Sequence, residues 1–78
     1  MTQDKIKKGD LLIASRNMWG SYWTRSGHVN IEIKKNAMFL ATSNQSFIPE
    51  AGIVEVDGLI DNKIVTIIIK DEKQLIVV

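Results

Sequence analysis

The side chains that could do chemistry are concentrated in one stretch, Arg16-Asn-Met-Trp-Gly-Ser-Tyr-Trp-Thr-Arg-Ser-Gly-His-Val-Asn30. It holds both tryptophans, the only tyrosine, both arginines and the only histidine. Arg16 and Arg25 flank Trp19, Tyr22 and Trp23, and His28 follows closely. An arginine fork chelates phosphate or carboxylate, while an indole face stacks on a base or caps a cation. The combination therefore points to recognition of an anionic, planar partner, either a nucleotide or a nucleic acid. The same residue types dominate protein–protein hot spots, so a protein partner stays open. A third use for the tryptophans is to plug the end of the fold as core.

Catalysis is poorly provided for. His28 could act as a general base, but Ser15, Ser21, Thr24 and Ser26 all lack the context of an activated nucleophile. The chain has no cysteine, which removes thiolate ligands and a thiol nucleophile. A metal at His28 would need carboxylates, and only Asp10 and Glu32 are near in sequence. The expectation is a non-catalytic protein with no metal and no cofactor. Its binding residues would be Arg16, Trp19, Tyr22, Trp23, Arg25 and His28, with His28 donating at the rim.

The elements that must position this stretch read as strands. His28 to Lys34 alternates Val29, Ile31 and Ile33 with polar residues, the period of a half-buried strand. Leu11-Leu12-Ile13-Ala14 is a short apolar run before the stretch. Lys35-Asn36 suits a two-residue hairpin turn, with Ala37 to Ser43 as the return strand. Residues 16–27 read as a loop, or as a loop with a brief strand through Tyr22-Trp23-Thr24. Residues 43–52, with the only proline, read as a second loop. Ile53–Asp57, Lys63–Lys70 and Gln74–Val78 complete the set, separated by turns at 58–62 and 71–73. No segment carries helical period, and isoleucine and valine dominate every run.

Seventy-eight residues make one domain. The expected fold is all-β, a small SH3-like antiparallel barrel or sheet of five to six short strands, with residues 1–8 a flexible, solvated lead. Ten basic against nine acidic residues leave a net charge of +1, too balanced to imply nucleic-acid binding by charge alone. Lys5, Lys7 and Lys8 are the one local cluster that could serve as an arm for phosphate. There is no apolar leader and no run long enough for a spanning helix, so the expected location is cytoplasmic, with no membrane partner. Lys63–Lys70 is apolar on both faces and the chain closes on Leu75-Ile-Val-Val78. That is more apolar strand surface than one small barrel uses, and it predicts a homo-oligomer. Loop 43–52 covering the excess within one subunit is the alternative.

Gly9-Asp10-Leu11, then His28-Val29-Asn30-Ile31-Glu32-Ile33, then Met38-Phe39-Leu40-Ala41-Thr42-Ser43 resembles the barrel half of NlpC-type papain-like cell-wall peptidases. The resemblance spans residues 9–57 and implies antiparallel strands with His28 at the place of that family's catalytic base. The family's cysteine has no counterpart here, its third polar residue falls on Ala41, and its glycine after His-Val falls on Asn30. What the resemblance implies is therefore a barrel without the enzyme. A degenerate peptidase or amidase using His28 and a purely structural assembly subunit are the competing expectations. The compact, cysteine-free chain also suits a phage-type inhibitor that sequesters a host component.

Overall fold

The computed structural model describes residues 5–78, and every regular element among them is a strand. In chain order these are β1 Leu11–Ala14, β2 Met18–Thr24, β3 Gly27–Ile33, β4 Met38–Ala41, β5 Ser46–Ile48, β6 Ile53–Ile60, β7 Lys63–Ile69 and β8 Leu75–Val77. They form one antiparallel sheet in the order β3-β2-β7-β6-β4-β1-β8, with β5 beside β4 on the same edge of β6. The expected all-β fold holds, with eight strands instead of five or six.

Period two explains the core. The inward residues are Leu12 and Ala14 of β1, Met18 of β2, Ile33 of β3, Phe39 and Ala41 of β4, Val56 of β6, and Val65 and Ile67 of β7. β-Branched and aliphatic side chains at alternate positions bury one face of each strand, and the sheet curls around that face. Two glycines let the curl tighten. A Cβ on Gly20 would collide with the Val65 side chain, and one on Gly58 would lie 2.5 Å from Cδ2 of Phe39. Both stand where a neighbouring core side chain needs the space.

Two tight hairpins set the register. β6 and β7 join through Asp61-Asn62, both with positive φ (51° and 63°), the conformation of a type I′ turn. β2 and β3 join through Arg25-Ser26, where Thr24 Oγ1 accepts from Ser26 N–H and donates to the Gly27 carbonyl.

Four expectations need correction. The stretch 16–27 contains a seven-residue strand, Met18–Thr24, in place of a loop. Its alternation is present in the sequence, but Gly20 occupies an inward position and masks it. Residues 28–34 and 37–43 are not a hairpin. β3 pairs with β2, whereas β4 pairs with β1 and β6. The chain does turn at Lys35-Asn36, with Asn36 at φ 75°. Asn36 N–H, however, donates to the Ala14 carbonyl, which turns the corner onto β1. Residues 5–8 of the expected flexible lead are tied down: Ile6 is core, its N–H donates to Gln45 Oε1, its carbonyl accepts from Gln45 N–H, and Lys8 N–H donates to Asn44 Oδ1. The remainder of that lead lies outside the described residues. The second loop also contributes β5, which pairs with Ile53–Glu55.

The curl is closed by a buried side chain. Gln74, 3% exposed, accepts from Lys70 N–H (2.9 Å) and donates to the Ile68 carbonyl (3.0 Å), with the Met18 sulfur 3.5 Å from the same Nε2. Its own carbonyl accepts from Ser15 N–H. One residue thus joins the end of β7, the root of β2 and the segment after β1.

Candidate functional site

β2 sorts the candidate residues by face. Met18, Gly20 and Tyr22 turn inward, while Trp19, Ser21 and Trp23 turn outward. Tyr22 is half-buried against the core, with Lys63 Nζ 5.6 Å from its ring centre. It is thereby separated from the tryptophans it adjoins in sequence, and its ring contributes packing.

Trp19 and Trp23 are 65% and 79% exposed on the same outward face. Four residues of strand put them about 13 Å apart. Across the hairpin, Trp19 faces Glu32, Ser21 faces Asn30 and Trp23 faces His28. The His28 ring lies 5.0 Å from Trp23, tilted by 57°, an edge-to-face type of contact. This is a local stack that holds both rings near the hairpin tip. Arg25 sits in the turn beside them, exposed, with no acidic partner among the described residues.

Arg16 is at the opposite end, in the loop before β2, where it hydrogen-bonds and ion-pairs with Asp71. That hydrogen bond holds the Asp71 carboxyl below its ordinary value. Arg16 nevertheless shares a recess of about 300 Å³ with Trp19, Ile68 and Lys70. The six candidates therefore divide into two stations on one hairpin and one inward residue. The root station has Trp19 with Arg16 and Lys70. The tip station has Trp23 and His28 with Arg25.

The sequence reading missed Lys70, whose position one residue past a strand far along the chain gives no local signal. It also missed a second, mainly apolar recess of about 360 Å³ lined by Ile6, Val54, Ile69 and Leu75, together with Lys5, Lys70, Asp71 and Glu72. The described residues contain no cluster of three or more histidine, aspartate or glutamate side chains placed to hold a metal.

No family model, curated protein or solved structure matches the chain.

Proposed function

We propose that the chain is a non-catalytic binding protein that takes an extended single-stranded nucleic acid along the outward face of β2. The observation that supports this is the pair of exposed indoles on one strand face, each with an arginine at its own end of the hairpin. A tryptophan that is mostly exposed contributes little to folding, so two of them on one face favour a surface used for contact. Stacked bases rise about 3.4 Å. Platforms about 13 Å apart therefore suit a strand drawn out with its bases splayed, each stacking on its own ring. Ser21 and Asn30 between them offer hydroxyl and amide groups to the intervening sugar or base. Arg25 at the tip and Lys70 at the root would meet phosphates, and Arg16 would exchange Asp71 for one.

The second reading is a protein partner. Glu32, directly across from Trp19 with Lys34 4.0 Å away, favours it, since a carboxylate beside a stacking ring repels phosphate.

Titration of tryptophan emission with an oligothymidylate of about ten nucleotides tests the proposal. Quenching is expected, with Trp23→Ala weakening the affinity about 10- to 100-fold, the worth of one stacked base. The affinity should fall with salt at a shallow slope, because only Arg16, Arg25 and Lys70 would meet phosphates. Absence of quenching at millimolar nucleotide removes the nucleic-acid reading.

A further inference from the structure

The outward face on the other side of the sheet has a different composition. In an antiparallel sheet with one solvated face, outward positions are ordinarily polar. β3 follows that rule with His28, Asn30 and Glu32. On β1, β4 and β8 every outward position is apolar: Leu11 and Ile13, Met38 and Leu40, and Ile76. These strands are adjacent, and the registers Leu11↔Leu40, Ile13↔Met38 and Ile13↔Ile76 place the side chains beside one another. The row continues through Leu40↔Leu59 and Leu59↔Ile64 onto β6 and β7. A four-strand aliphatic ladder, Leu11–Leu40–Leu59–Ile64, thus crosses the sheet, with each member exposed.

We infer that this ladder is where a second copy of the chain docks, sheet face against sheet face. Two observations select that occupant. The first is area. The exposed parts of Leu11, Met38, Leu40, Leu59, Ile64 and Ile76 leave on the order of 500 Å² of apolar surface. That lies at the upper end of the largest patches on monomers, and it is well over half of the ~800 Å² that a standard interface takes from each partner. The second is charge. No ionisable side chain stands on the outward face of β1, β4 or β8, and on β6 the nearest, Asp57, is two residues from Leu59 and accepts from Thr66 Oγ1, so the ladder itself offers no charge to select a charged partner. An aliphatic face is chemically complementary to a copy of itself, which an isologous two-fold contact requires. Two such sheets would stack about 10 Å apart with their aliphatics interdigitated. The indoles of β2 lie outside the ladder's strands, so the inference stands independently of what they bind.

Sedimentation equilibrium of the whole chain between about 1 and 200 µM decides the matter. The wild type is expected to reach the dimer mass within that range. Leu40→Glu, an exposed position in the centre of the ladder, should weaken the dimer at least 100-fold. Asn30→Glu, an outward residue on β3, should leave it within twofold, and so should Trp23→Ala. Far-UV circular dichroism of the Leu40→Glu monomer should retain the wild-type strand spectrum. A wild type that is monomeric at 200 µM overturns the inference. A dimer that survives both Leu40→Glu and Leu59→Glu overturns it too, by placing the contact elsewhere.

Discussion

Replacing Gln74 by leucine tests how the curl of the sheet is held. The amide is buried, and its two strong bonds go to backbone groups of Lys70 and Ile68. Leucine fills much of the same volume but strands one N–H and one carbonyl. A buried polar group left without a partner costs about 1–3 kcal/mol. Lys70 is itself exposed, so its amide recovers some hydration and the lower half of that range applies to it. The buried leucine returns part of the loss. The net expectation is about 3 kcal/mol, a large share of the ~5–10 kcal/mol that holds a domain of this size. At about 4–8 °C per kcal/mol for such chains, the midpoint should fall by roughly 15 °C. Urea titrations and thermal melts followed by far-UV circular dichroism, at one fixed protein concentration, measure it. Gln74→Glu adds a chemical check. It keeps an acceptor for Lys70 but turns an oxygen toward the Ile68 carbonyl, so its deficit should shrink in acid, where the protonated carboxyl can donate. If Gln74→Leu lies within 1 kcal/mol of the wild type, the amide is not what closes the sheet.

Other perturbations have equally definite outcomes. Gly58→Ala puts a methyl 2.5 Å and 2.8 Å from two carbons of the Phe39 ring, which should cost about 2–3 kcal/mol in urea midpoint analysis. The Thr42 hydroxyl is buried without a hydrogen-bond partner among the described residues. Thr42→Val should therefore raise stability by about 1 kcal/mol in the same assay. Asp71 has a folded-state pKa below its ordinary 3.8, chiefly through the Arg16 hydrogen bond. Its contribution is therefore present above pH 3.8 and is lost as pH falls through the lower folded value. Melting midpoints of wild type and Asp71→Asn should differ at pH 6 and draw together as the pH is taken below 3.8; parallel curves would refute the assignment.

The sequence carries the strand content because its alternation is chemical: Val29, Ile31 and Ile33 have no other way to share a face. It carries the pairing less well. Lys35-Asn36 has the residues of a hairpin turn and does turn the chain, but turn chemistry is local and says nothing about which strand waits on the far side. That was decided by Asn36 reaching the Ala14 carbonyl and by Asn17 accepting from Lys35 N–H, contacts between distant segments. The candidate site was legible as a set of residue types, and its geometry was not. Trp19, Tyr22 and Trp23 read as one cluster until the pleat sends Tyr22 inward. Arg16 read as a flank of that cluster, whereas its partner Asp71 lies 55 residues away.

The strand order also fixes a sequence of events. β2 with β3 and β6 with β7 are neighbours in the chain and can zip as soon as they exist. β8 pairs only with β1, and Leu12 and Val77 are 65 positions apart. Closing so long a loop is slow relative to forming hairpins. On a ribosome β1 must therefore wait, half-paired, until β8 has been synthesised. During that interval the aliphatic residues of β1 are exposed on one edge as well as one face. The nascent chain is thus most adhesive just before β8 emerges, and a chaperone would have most to protect at that moment.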